Sequence, residues 1–197
     1  MLSIEDSKID EIVKQYPQFW KTRSAYMSYI RGGIRSGLWN KNKIKLLKIK
    51  NNRTQIPNPN INGNKPTVWG GKCEVCENLF PTKDLQVDHI RDYGSSLKSF
   101  DDVSSFISDM ILVTEDDLRI ICKPCHEIVS HSQKKGISFE QAKVEKEYIS
   151  IKKSKKSFDT LLSLGVSSSD IPKTKKAQEE LLYKLMMQEF KERTDGN

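Results

Sequence analysis

The chain holds four cysteines, and all of them fall into two Cys-x-x-Cys pairs, Cys73 with Cys76 and Cys122 with Cys125. A Cys-x-x-Cys turn sets two thiolates about one ion, and two such turns complete the tetrahedral four-thiolate shell of a structural Zn²⁺. The segment between them is too small to build a sizeable core, so a metal staple takes its place. A closed four-thiolate zinc has no open position, so it organises the chain and binds no substrate. What the pairs bracket is Asp88-His89, and His126 follows the last cysteine directly.

With 36% of its 197 residues hydrophobic and 30% charged, the chain suits a small core with appended helices better than one large apolar interior. No run approaches the roughly 18 apolar residues of a membrane span, and the polar start, Met1 to Asp6, is unlike a signal peptide. The expectation is a cytoplasmic protein with no membrane association. In a reducing compartment, paired cysteines favour a metal over disulfides.

The net charge of +7 is unevenly spread. Residues 1–65 carry 13 Lys/Arg against 4 Asp/Glu, residues 66–135 carry 8 against 12, and residues 136–197 carry 12 against 10. An acidic centre behind a basic arm suits a metal-binding core beside a polyanion-binding surface. The expected organisation is therefore a basic helical arm and linker over 1–65, a core over 66–135 and C-terminal helices over 136–197.

Within the arm, a short helix is expected over 6–15, capped by Asp6 or Ser7 and interrupted at Tyr16-Pro17. A second is expected from Gln18 to about Ser36, with a core stripe through Tyr16, Trp20, Met27, Ile30 and Ile34. Lys21, Ser24, Ser28, Arg31 and Arg35 repeat on another side at spacing suited to phosphate contacts, with Gly32-Gly33 a place to kink. The stretch from Lys41 to Arg53, with Lys43 and Lys45, reads as either an edge strand or a basic helix. Six Asn and three Pro over 51–66 read as an extended linker.

In the core, Leu79, Phe80, Leu85 and Val87 suggest a hairpin whose second strand delivers Asp88-His89. A packing helix over 95–113 carries Leu97, Phe100, Val103, Phe106, Ile107 and Met110 on one face. A helix opens near Pro124 or Cys125 and breaks at Gly136, and Ser138 with Gln141 has capping-box spacing for the next. His131 reads as a surface or phosphate-contacting residue. A short helix follows over 158–164 and a last helix over 173–192.

Chemically, Asp88 is a hard ligand for Mg²⁺ or Mn²⁺, His126 can supply a second ligand, and a neutral His89 is a natural base for activating water. Cys73-x-x-Cys76, Asp88-His89, Asp117 and Cys122-x-x-Cys125-His126 together resemble the zinc-stapled HNH endonucleases, and the likeness covers about residues 70–135. The resemblance implies an α+β chain with a ββα-metal core, flanked by mainly helical extensions. It implies that His89 is the general base, that Asp88 and His126 hold the catalytic ion, and that Asp117 stands at the central position, where the family has Asn to orient the base. It further implies cleavage of double-stranded DNA, leaving 5′-phosphate and 3′-hydroxyl ends.

The interval from His89 to Cys122 exceeds the family's shorter forms, and the expected 95–113 helix accounts for the excess. The layout is similar to small HNH proteins encoded by bacteriophages. Candidate DNA contacts are Lys21, Arg23, Arg31, Arg35, Lys41, Lys43, Lys45 and Arg53 in the arm, with Arg91 and Arg119 in the core. The C-terminal helices could clamp DNA or form a homodimer. A non-catalytic zinc module that binds DNA or protein would need the cysteines but not Asp88, His89 and His126 together.

Overall fold

The computed structural model describes residues 3–91 and 97–195. The first two positions of the expected 95–113 helix lie outside them. The chain is α+β with small sheets and forms two compact units, Met1–Lys123 and Pro124–Asn197. No helix among the described residues is long and apolar enough to cross a membrane.

The first unit begins with α1 (Ile4–Gln15), which starts earlier than its sequence suggests. Ser3 is the cap, its Oγ accepting the Asp6 N–H at 3.1 Å. The Asp6 side chain is thereby released from capping and turns inward, where its carboxylate accepts the Phe100 N–H at 2.9 Å and pairs with Arg23. The second helix, α2 (Arg23–Gly37), starts five residues later than expected. The Tyr16 carbonyl accepts the N–H groups of both Phe19 and Trp20, which holds the chain in a turn until Thr22 caps Ala25. Gly32-Gly33 stays helical.

Ile9 of α1 and Met27 of α2 bury against Leu97, Phe106 and Met110. Each such side chain contributes about 1.5–3 kcal/mol of burial. The last two lie in α4 (Val103–Ile111), which a capping box of Ser99 and Asp102 introduces.

The basic stretch resolves as a helix, α3 (Lys43–Asn52). Asn42 decides it by accepting the Ile44 and Lys45 N–H groups on Oδ1, satisfying two donors of the first turn. Ile44 and Ile49 then pack on a cluster of Val87, Val113, Leu118 and Ile120. The expected linker also contains a strand. β1 (Thr54–Pro57) pairs antiparallel with β2 (Thr67–Lys72), which pairs in turn with β3 (Leu79–Pro81). A boundary at 65/66 would therefore cut between two hydrogen-bonded strands.

The expected hairpin over 79–87 is also corrected. β3 and β4 (Leu85–His89) belong to different sheets, because β4 pairs with β5 (Leu118–Cys122) instead. Pro81 has no N–H to continue the ladder, and the 3-10 turn Thr82–Asp84 carries the chain from one sheet to the other. Register sets Asp88 opposite Arg119 and His89 opposite Leu118.

The second unit is helical: α5 (Lys123–Lys135), α6 (Phe139–Lys153), α7 (Ser157–Ser163) and α8 (Lys175–Asp195). Gly136 and Gly165 adopt positive φ where helices end, and Ser138 caps α6 through the Gln141 N–H. Leu161, Ile171, Leu182 and Met186 form its core. His131 is not a free surface residue. Its Nε2 lies 2.8 Å from Oε2 of the buried Glu145, which also pairs with Lys135 and accepts from the Tyr183 hydroxyl at 3.3 Å.

Candidate metal centre and the Asp88-His89 strand end

The four cysteine sulfurs lie within 4.8 Å of one another, and none is in a disulfide. Cys76 and Cys122 are 4.0 Å apart, about twice an S–S bond length. Tetrahedral Zn–S bonds of about 2.3 Å place sulfurs about 3.8 Å apart, so the donor set fits such an ion. Four cysteines close together could hold a metal such as zinc.

The loop after β2 is built to present the first pair. The Glu77 N–H donates to the Cys73 carbonyl at 2.9 Å, with Glu77 itself in the left-handed region at φ 62°. Glu74 then docks on β5: its N–H donates to the Ile120 carbonyl and its carboxylate accepts the Ile120 N–H. Burial opposes a Cys73 thiolate. The amides of Cys76, Cys122 and Val75, with the Cys76 thiol, outweigh it and bring the pKa down to about 7. The Cys122 N–H points at this sulfur from 3.3 Å. A thiolate is the metal-binding form, so the pocket favours the ligand before an ion arrives.

Asp88 and His89 end β4. Asp88 Oδ2 accepts Nε and Nη2 of Arg119 at 3.0 and 2.7 Å, straight across the ladder. Arg119, expected to hold a DNA strand, thus directs its guanidinium at the candidate metal ligand. His89 stacks on Trp39, ring centroids 4.5 Å apart and planes at 27°. Its Nε2 lies 3.3 Å from the Met110 carbonyl. A carbonyl can only accept, so Nε2 carries the proton and Nδ1 is the basic nitrogen. Burial lowers the His89 pKa. The Met110 carbonyl, Asp88 and Asp117 oppose that shift, and Arg35 adds to it. The balance favours the neutral imidazole.

Asp117 caps a turn: its Oδ2 accepts the Thr114 N–H and hydroxyl, both at 2.8 Å. Those bonds hold its carboxyl below the usual range. Its backbone carbonyl accepts the Ile90 N–H at 2.9 Å, anchoring the chain just past His89. His126 lies half-buried in the first turn of α5. Among the described residues, the four-cysteine set is the group of three or more His, Cys, Asp or Glu side chains gathered tightly enough for an ion.

The candidate DNA contacts divide. Lys21, Arg35, Lys41, Lys43 and Arg91 are exposed. Arg23 is taken up by α1, donating to Asp10 and to the Asp6 carbonyl. Arg31 is half-buried, with Nε shielded and unpartnered. Lys45 lies 4.8 Å from the Trp39 ring centre, its pKa lowered by burial, and Arg53 sits 4.1 Å over Trp69. Sequence reasoning missed Trp39 and the Met110 carbonyl. A Trp bordering a lysine run was the one available signal for the first, and a backbone acceptor leaves none.

No protein-family model matches the chain, and neither a curated protein nor a solved structure matches it significantly.

Proposed function

We propose that the chain is a divalent-metal-dependent DNA endonuclease of the zinc-stapled HNH type, in which His89 is the general base. The observation that carries this is the state of His89: neutral by burial, its tautomer set by the Met110 carbonyl, and adjacent to a carboxylate at a strand end. A base so prepared can take a proton from water on Nδ1 near neutral pH. The strand order also supports it, since paired β4 and β5 are followed directly by α5.

Zinc on the four cysteines is a structural staple in this scheme. Asp88 and His126 would hold Mg²⁺ or Mn²⁺, whose chemistry is to offset charge on the phosphate and the departing oxygen. The carboxylate oxygen suits either ion, although the ion must share Asp88 with Arg119. Asp117 is engaged with Thr114, so orienting the base falls to the Met110 carbonyl and the Trp39 face.

The Asp88–Arg119 pair favours a second reading, a non-catalytic zinc module that binds duplex DNA. Supercoiled plasmid with Mg²⁺ or Mn²⁺ decides between them, run beside a metal-free control and His89→Ala. Nicked or linear product that both controls abolish is the expected result. A retarded but intact plasmid at every metal concentration would establish the binding module instead.

A further inference from the structure

Between Ile12 and Cys73 the chain has no Asp or Glu and 13 Lys/Arg. The β1–β2 hairpin projects from this acid-free stretch, and its connecting residues are a built object. The Asn58 N–H donates to the Pro66 carbonyl at 2.9 Å, and Asn58 Nδ2 donates to the Lys65 carbonyl at 2.8 Å. Asn58 Oδ1 accepts the Asn60 N–H, and Asn60 Oδ1 accepts the Asn62 N–H. Gly63 fits because a Cβ there would come within 2.5 Å of Asn58 Nδ2. Held at this tip is Ile61, 96% exposed, the most exposed large apolar side chain among the described residues.

We propose that the β1–β2 hairpin is a DNA-bending finger that inserts Ile61 between base steps of duplex DNA from the minor groove. This rests on the endonuclease reading for the identity of the polyanion. One exposed isoleucine means little by itself, and an apolar partner surface would need a contiguous patch. Ile61 instead lies in sequence between Asn60 and Asn62, with Asn64 and Lys65 close behind, all exposed. Amide donors match the acceptors that A·T pairs show in the minor groove, and a single apolar wedge is what unstacks a step there.

In the major groove the same side chain would find only thymine methyl groups. Asn60 spends its oxygen on the chain, so what it offers a partner is its NH₂ donor. Along the flank, Gln55, Lys65, Thr67 and Trp69 line a 410 Å³ hollow that can take the adjoining sugar–phosphate strand.

The test uses the full-length, zinc-loaded protein without added divalent ion and a short duplex labelled at both ends for energy transfer. Wild type should bring the ends closer, and netropsin, a minor-groove ligand, should displace it while methyl green, a major-groove ligand, should not. Ile61→Asn should abolish the end-to-end change and weaken binding about tenfold at an unchanged melting temperature. Bending and affinity equal to wild type in Ile61→Asn, or displacement by methyl green alone, would overturn the proposal. Plasmid cleavage measured in parallel separates the two readings. Ile61-dependent bending without cleavage upholds the finger and removes the nuclease, and cleavage with no effect of Ile61→Asn does the reverse.

Discussion

His89 and His131 are both half-buried and both use Nε2, but the first meets a carbonyl and the second a carboxylate. In the second unit, burial would raise the Glu145 pKa, yet Lys135 and His131 outweigh it and hold the carboxyl below its ordinary value. That site joins Glu145 to Lys135, His131 and the Tyr183 hydroxyl, tying α5, α6 and α8 together. At the end of β4, a backbone carbonyl and an indole face border the imidazole, and burial favours its uncharged form. One histidine serves a buried carboxylate, and in the proposed endonuclease the other serves as the base.

The comparison can be broken first at the metal. Cys73→Ser should remove zinc, expected at one ion per chain, and unfold the sheets of the first unit, because structural zinc supplies much of the folding free energy of such segments. Far-UV circular dichroism should still report the helices of the second unit. A zinc-free variant that keeps native sheet signals would show that the cysteines are not a staple.

Next in size is His89, the base of the proposed endonuclease. His89→Ala should cost about a thousandfold in cleavage rate, the usual span for a lost general base, with zinc content unchanged. A loss of only a few-fold would mean that another group takes the proton.

On the other side of the comparison, Glu145→Ala should destabilise the second unit by about 2 kcal/mol, since it strands buried donors beside a partly exposed Lys135. The folded Glu145 pKa lies below the unperturbed 4.5, so its contribution is complete above that value and is lost as the pH falls through the folded value. Glu145→Gln should flatten the acid slope of second-unit unfolding, and a slope equal to wild type would place the acid sensitivity elsewhere. The smallest expected effect belongs to Trp39→Leu. Losing the stack should cost about 1 kcal/mol in first-unit unfolding, and an unchanged midpoint would mean that the rings are merely adjacent.

The cysteine cluster was readable because it depends on residue type at short spacing. The four sulfurs do converge, as the paired motifs imply. Partners brought together from far along the chain were not readable. Arg23 and Arg119 look like phosphate contacts in a basic sequence, and nothing local announces Asp10, 13 positions away, or Asp88, 31 away. β1 hid among Asn and Pro because a strand of four residues has too little pattern, and its pairing with β2 is a tertiary fact. Asp117 looked like a central acid and is a turn cap, a role shared by Thr114 three residues earlier.

The Met110 carbonyl lies near the C-terminal end of α4, inside the stretch that lengthens the interval between His89 and Cys122. Trp39 comes from far upstream of the first cysteine. The motifs therefore do not delimit a portable cassette. Trimming the chain to the span they cover would strip away the indole, α3 and β1. Shortening the insert to a bare loop would take the imidazole's hydrogen-bond acceptor with it. Anyone grafting this strand end onto another scaffold has to carry over pieces with no recognisable signature of their own, and a transplant guided by the signatures alone would arrive with its histidine loose.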